Sequence, residues 1–178
     1  MKAKKLPSVE KLNELFRYEP ETGRLHWRVS NTNWVKPGDE VGGIYSYTNK
    51  YGTINGPYFR VKVGGKEYRS HRIIYKMIHK DFDESLVIDH VDGDGLNNRP
   101  DNLRAVTQSV NLRNSVKKCN NTSGVTGVCW HKARQKWLAR VWLNNNAAYL
   151  GYFQDKEDAA KAVEEYRKAN GFTDRHGK

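Results

Sequence analysis

The residues with the most chemical capacity in this 178-residue chain lie close together. One stretch runs Val87-Ile-Asp-His-Val-Asp-Gly-Asp-Gly-Leu-Asn-Asn-Arg-Pro-Asp-Asn-Leu-Arg104, and Val110-Asn-Leu-Arg-Asn114 follows it. An imidazole beside a carboxylate, with side-chain amides further along, suits the hydrolysis of a phosphodiester. That reaction needs an attacking water, a charge sink for the phosphate and a stabilised leaving oxygen. His90 can take the water's proton, since an imidazole near neutral pH balances basicity against availability. Asp89 offers a hard oxygen to Mg²⁺ or another divalent cation such as Mn²⁺, and Asn111 or Asn114, on one face of a helix, offers a second. One such cation serves as Lewis acid and neutralises the departing 3′ oxygen. Asn102 is placed to orient His90 or to hold the loop by hydrogen bonds.

Simpler roles account for the other polar residues nearby. Asn97 and Asn98 suit turn capping through local hydrogen bonds, and Asp92 and Asp94 suit shaping of the loop. His71 is expected to pack or hydrogen-bond beside the site. His26, His79 and His176 have no supporting context.

Charge is distributed unevenly. The chain carries 31 Lys and Arg against 20 Asp and Glu, a net +11, which fits a polyanionic partner. Residues 104–154 hold no acid at all, whereas residues 81–101 hold a cluster of acids with only Arg99 to oppose them. Contact with phosphates favours the first stretch, because each neutralised phosphate releases counterions. The acidic island would repel that backbone unless a bound cation reverses its sign locally. Two cysteines, Cys119 and Cys129, supply neither a disulfide framework nor a four-thiolate zinc site, so a reducing, cytoplasmic setting is expected. A mean hydropathy of −0.87, with no apolar run of membrane-spanning length, excludes a transmembrane protein. The basic start lacks the unbroken apolar stretch of a signal peptide.

These residues must be carried on an α+β scaffold. Val9, Leu12, Leu15 and Phe16 follow Ser8 at helical spacing, predicting a short helix over 9–16. Residues 24–29 alternate like a strand. Residues 59–63 and 66–69 predict a hairpin across Gly64-Gly65, with Lys62 opposite Glu67, Arg60 opposite Arg69 and Val61 opposite Tyr68. A helix is predicted over 70–80, then a strand at 86–88, a loop, a strand at 103–106 and a helix from about 107 to 115. Because Asp89 and His90 are adjacent, they would point to opposite sides of an ideal strand, so they are expected at its frayed end. Residues 117–124 read as a linker. Three strands follow, at 125–131, 136–143 and 147–153, then a helix over 155–169 capped by Asp155.

The stretch around Asp89-His90, Asn102 and Asn111 resembles the HNH, or ββα-metal, nucleases, and specifically those of phages and introns. There Asp-His ends the first strand, Asn-Leu follows the loop, and a further His or Asn lies on the helix. The residues 15–27, Leu-Phe-Arg-Tyr-Glu-Pro-Glu-Thr-Gly-Arg-Leu-His-Trp, and Ser70-His-Arg72 also resemble this subgroup. The resemblance implies His90 as general base, Asn102 in support, and Asp89 with Asn111, rather than Asn114, as metal ligands. It also implies products with 5′ phosphate and 3′ hydroxyl.

From residue 123 to 172 the chain resembles the APETALA2-like DNA-binding domain. The matching residues are Gly127-Val-Cys-Trp130, Trp137-Leu-Ala-Arg140, Tyr149-Leu-Gly-Tyr-Phe153 and Asp158-Ala-Ala160. That family lays a three-stranded antiparallel sheet in the major groove and packs a helix behind it. Alternation along the middle strand sets Leu138, Arg140 and Trp142 on one side, and Trp137, Ala139, Val141 and Leu143 on the other. Arg140 and Trp142 are therefore the leading DNA contacts. By resemblance His131, Arg134, Lys136 and Tyr149 join them, whereas Trp130 and Trp137 are assigned to packing. In the N-terminal hairpin Arg60, Lys62 and Arg69 suit either phosphate binding or simple solubility.

The expected organisation is an HNH endonuclease domain over residues 1–115, its ββα core at about 70–115, a linker at 116–123 and an APETALA2-like domain at 124–178. The expected function is a metal-dependent homing-type endonuclease acting on double-stranded DNA, a monomer on DNA with no obligate protein partner and no membrane. One active site per chain suggests nicking first. The alternatives are a non-catalytic DNA-binding regulator with a relic HNH unit, and an RNA-binding protein.

Overall fold

The computed structural model describes residues 5–30, 34–48, 54–113, 121–143, 146–173 and 176. The chain divides between Thr107 and Gln108 into two compact units. Both are small mixtures of antiparallel strands and short helices, the α+β class.

In the first unit, Ser8 caps helix α1 (Val9–Leu15), its hydroxyl accepting from the Lys11 amide at 3.3 Å. Leu12 drives the helix into the core. The expected helix ran one residue further, but Phe16 adopts extended geometry and begins strand β1 (Phe16–Glu19). Tertiary packing decides this. Phe16 pairs with Trp27 of β2 (Arg24–Trp27), and the two buried rings lie 4.8 Å apart.

A second sheet has the order β3-β4-β5, from Gly43–Thr48, Ile54–Val63 and Lys66–Arg69. The hairpin across Gly64-Gly65 has the expected register, with Arg60 opposite Arg69, Val61 opposite Tyr68 and Lys62 opposite Glu67. Helix α2 (Ser70–Ile78) follows directly and buries Ile73 and Ile74. Strands β6 (Val87–His90) and β7 (Leu103–Val106) pair antiparallel, and Ile88 and Leu103 join Leu12, Phe16, Trp27 and Ile73 in one core.

The second unit holds α3 (Gln108–Leu112) and a sheet of order β10-β9-β8, from Val128–His131, Lys136–Leu143 and Asn146–Phe153 taken in chain order as β8, β9 and β10. Helix α4 (Lys156–Ala169) lays Ala159 and Val163 against Val128, Ala139 and Val141. Asp155 occupies the cap position of α4 but its side chain makes no capping bond. The segment after α3 is tied to the end of the chain: Arg113 donates to the Asn170 carbonyl at 3.5 Å, and Thr173 donates to the Arg113 carbonyl at 3.4 Å. Of the expected helix and linker, residues 114–120 lie outside the described residues. Among the described residues no helix is long and apolar enough to cross a membrane.

Candidate active site

His90 is the last residue of β6, and its ring is almost fully buried. The adjacent pair is not frayed as expected, because both residues keep their ladder partners, His90 opposite Leu103 and Asp89 opposite Arg104. They therefore take opposite sides of the strand. His90 shares the side of Ile88 and Leu103, which the core covers. Asp89 shares the side of Arg104, whose Nη2 and Nε lie 2.8 and 3.1 Å from Asp89 Oδ2.

Nε2 of His90 lies 3.0 Å from Oδ1 of Asn98, which is only 1% exposed. His71, at the start of α2, presents its ring edge-on to His90 with centroids 4.9 Å apart, and Tyr58 of β4 stands 6.2 Å away. Burial holds His90 below its ordinary pKa, opposed by the Asn98 contact and by Asp92, Asp89 and Asp94. Burial pushes His71 well below its ordinary value, and the neighbouring His90, Arg69 and Arg72 add to this. Both rings are thus biased toward the neutral form, which a base requires.

Asn102 holds the loop rather than His90. Its Oδ1 accepts from the Asp92 amide at 3.0 Å, and its Nδ2 donates to Asp92 Oδ1 at 2.9 Å and to the Asn97 carbonyl at 2.8 Å. Asp92 also accepts from Asn97 Nδ2 and from the Asp94 amide, and Asp94 accepts from the Leu96 amide. Burial works to raise the Asp92 pKa, but the bonds from Asn97 and Asn102 and the Asp94 amide outweigh it and hold the carboxyl below its usual range. Asp92 and Asp94 thus shape the loop. At Gly95 the loop packs so tightly on β4 that a Cβ would meet the Pro57 carbonyl oxygen and the Tyr58 ring within 2.6 Å.

The contact to His90 comes from Asn98, which the sequence assigned to turn capping. Nothing in its local pattern separates it from Asn97, since only the fold buries one and leaves the other half-exposed.

The hairpin cations lie on one face, but not all are bare. Arg60 is paired with Glu67 and stacks 3.8 Å from the Tyr45 ring centroid. Arg69 stacks 4.6 Å from the Tyr58 centroid, which links this face to the His71 and His90 rings. Lys62 shares the face through its register with Glu67. Strand β3, which brings Tyr45 and Tyr47, was missed, although Ile44-Tyr-Ser-Tyr47 carries the β-branched and aromatic signal of a strand.

In the second unit Trp142 and Tyr149 are 61% and 68% exposed on the outer face of the sheet, with Arg140 directly opposite Tyr149. His131 and Lys136 pair on the same face, and His131 Nδ1 accepts from the Arg134 amide at 3.2 Å. The Arg134 guanidinium stacks 4.6 Å from the Tyr152 centroid. Leu138 lies on this outer side yet is buried, between Cys129 and Tyr152. Trp137 packs toward the core as expected, whereas Trp130 stays 43% exposed with its ring against Trp137.

Asp89 belongs to the first unit and Asn111 to the second. A carboxylate and a side-chain amide are hard oxygen donors, the kind Mg²⁺ takes in small number beside waters and phosphate oxygens. By donor chemistry each residue on its own unit suits such a cation. Among the described residues no group of three or more His, Cys, Asp or Glu forms a metal cluster.

Comparison with known proteins bears on this strand-loop-strand arrangement. Residues 68–113 match the HNH endonuclease family. The matched segment runs from β5 through α3 and contains Asp89, His90, Asn98, Asn102 and Asn111. Protein 3.8 of Escherichia phage T7 is 34% identical over 76 residues, covering 43% of this chain and 63% of that protein. DNA endonuclease I-HmuI of Bacillus phage SP01 is 35% identical over 101 residues, covering 52% and 53%. An uncharacterized HNH endonuclease, L247, of Acanthamoeba polyphaga mimivirus is 30% identical over 112 residues, covering 61% and 28%. The chain thus spans less than two thirds of each relative. A solved structure titled "DNA binding and cleavage by the HNH homing endonuclease I-HmuI" aligns at 26% identity with a TM-score of 0.36, over 61% of this chain and 55% of that one.

Proposed function

We propose that this protein is a divalent-metal-dependent endonuclease of homing type that hydrolyses phosphodiester bonds in double-stranded DNA in the cytoplasm, that of a bacterial host if the protein is phage-encoded. What supports the reading most is the HNH segment, within which a buried, neutral-biased His90 ends a strand beside Asp89.

In this reading His90 removes the proton from the attacking water. Asp89 and Asn111 would hold one Mg²⁺ or Mn²⁺, which supplies Lewis acidity and charge neutralisation at the departing 3′ oxygen. Asn102 maintains the loop that brings His90 to the substrate. Arg69, with Lys62 and Arg60, takes the flanking phosphates. The second unit is the reader, an APETALA2-like sheet whose Arg140, Trp142 and Tyr149 enter the major groove, with His131, Arg134 and Lys136 alongside. Tethering the reader to the cutter raises the cutter's local concentration at DNA bearing the site.

The test is incubation of supercoiled DNA from the native genome with the full chain and Mg²⁺. Open circles should form with the wild-type protein, and neither with His90→Ala nor after EDTA. Conversion in every sample overturns the metal- and His90-dependent mechanism, and conversion in none overturns the reading in favour of a non-catalytic DNA-binding regulator.

A further inference from the structure

The partner of His90 leads beyond cleavage to the question of what aims the base, and the answer rests on the reading of His90 as that base. We propose that Asn98 is the positioning residue of His90, and that the N-terminal β1–β2 hairpin is the strut that keeps Asn98 in place.

An imidazole carries its proton on whichever nitrogen meets an acceptor. Nε2 of His90 faces Oδ1 of Asn98 at 3.0 Å, and an amide oxygen only accepts. The contact therefore selects the tautomer with the proton on Nε2 and the basic lone pair on Nδ1. The opposite tautomer would set two lone pairs against each other at a buried contact. His71 and Tyr58 flank the same ring, so its orientation is held as well as its tautomer.

Asn98 is itself held from outside the HNH segment. The Tyr18 hydroxyl, on β1, donates to the Asn98 carbonyl at 2.8 Å. Burial pushes the Tyr18 phenol up to about 12, with Asp101 adding, so it remains a donor. Gly23, in the β1–β2 turn, has φ +73°, and a Cβ there would lie 2.8 Å from both Asn98 C and Arg99 N. The turn therefore lies backbone against backbone on the loop, which glycine alone permits. Arg99 Nε donates to the Glu21 carbonyl of the same turn at 2.8 Å. Three ties converge on Asn98, which meets the base, and on its neighbour Arg99.

The experiment uses the full chain, labelled with ¹⁵N and free of metal. Long-range ¹H–¹⁵N correlation should show His90 with its proton on Nε2 in the wild type and in Asn98→Asp, which keeps an acceptor of the same shape. In Asn98→Leu that pattern should give way to a mixture. Cleavage of supercoiled DNA by Asn98→Leu should fall on the order of 10–100-fold in kcat with KM unchanged, and Asn98→Asp should recover most of the loss. Tyr18→Phe removes a single hydroxyl and leaves His90 and Asn98 intact. It should lower kcat severalfold, with a wild-type backbone spectrum showing that the fold survives. A wild-type protein with the His90 proton on Nδ1 overturns the proposal, as does Asn98→Leu cutting at the wild-type rate or Asn98→Asp failing as badly as Asn98→Leu. A wild-type protein that shows the Nε2 tautomer but never cuts overturns the endonuclease reading instead.

Discussion

Arg104 stands directly opposite Asp89 in the β6–β7 ladder and points two donors, Nε and Nη2, at a single carboxylate oxygen. A divalent cation on Asp89 would share that carboxylate with a guanidinium that repels it. Replacing Arg104 by Gln keeps a hydrogen-bond donor and removes the charge. The Mg²⁺ concentration for half-maximal cleavage should fall by about tenfold, the factor that roughly 1.4 kcal/mol of relieved repulsion gives. A Mg²⁺ titration of cleavage by Arg104→Gln measures it. A higher Mg²⁺ requirement would mean that Arg104 chiefly aims the carboxylate.

Acid should weaken the first unit through His71. The folded state holds this imidazole well below its ordinary value, because the ring is buried beside His90, Arg69 and Arg72. In the unfolded chain the same ring takes a proton near about pH 6.5. As pH falls below that value the unfolded chain binds a proton that the folded chain refuses, so stability drops, and the loss continues until the lowered folded value is reached. Above about pH 7 this group contributes no pH dependence. His176 acts in the same direction in the second unit, its pKa lowered to about 4 by burial and by Arg167. Urea midpoints should be lower at pH 5 than at pH 7. His71→Phe, which keeps a ring and removes both the titration and an Nδ1 that has no hydrogen-bond partner among the described residues, should reduce that difference. An equal pH response in the variant would place the acid sensitivity elsewhere.

Legibility in the sequence followed how local each determinant is. The hairpin across Gly64-Gly65 could be registered residue by residue because two strands and their turn are adjacent in the chain. Strand β9 was legible for the same reason, its alternation being uninterrupted from Lys136 to Leu143. Strand β1 was not, since Phe16 continues the helical spacing of Leu12 and Leu15, and only the Trp27 ring it meets across the turn makes it extended. Asp89 and His90 were legible as an adjacent carboxylate and imidazole. Their true surroundings were not, because Asn98, Tyr58, His71 and Arg104 arrive from four other segments. Asn98 and Asn102 look alike in sequence, and their division into a partner of His90 and a clasp for Asp92 depends on which one the fold buries against the ring.

The outer face of the second unit should carry its DNA affinity without carrying its stability. Trp142 and Tyr149 are mostly exposed and contribute little to the core formed by Val128, Ala139, Val141, Ala159 and Val163. Trp142→Ala should weaken binding to the native site by about tenfold, leave the salt dependence of binding unchanged and shift the thermal midpoint little. Arg140→Ala should weaken binding by a similar factor, and the salt slope then assigns its contact. A phosphate contact lowers the slope by about 0.9, whereas a base contact leaves the slope near its original value and relaxes preference at one position. Fluorescence anisotropy over a salt series separates the cases. A Trp142→Ala protein that unfolds, or binds as tightly as the wild type, would remove this face as the reader.

Glu67 should restrain phosphate binding by the cations of the β4–β5 face. It faces Lys62 across β4–β5 and pairs with Arg60, so one carboxylate lies among the three cations assigned to DNA. An exposed pair of this kind adds little to stability, since two long side chains lose freedom for an attraction that water and salt largely screen. On approach to DNA, however, the carboxylate is a repelling charge and a competitor for the Arg60 guanidinium. Glu67→Gln should therefore leave the urea midpoint within experimental error, tighten binding to nonspecific duplex by about threefold at low salt, and steepen the salt dependence, because Arg60 is then released to a phosphate. The Tyr45 ring under the Arg60 guanidinium keeps the side chain aimed along the sheet face when its partner is gone. Unchanged affinity with Glu67→Gln, alongside unchanged affinity with Arg60→Ala, would show that this face serves solubility and that the phosphates lie elsewhere.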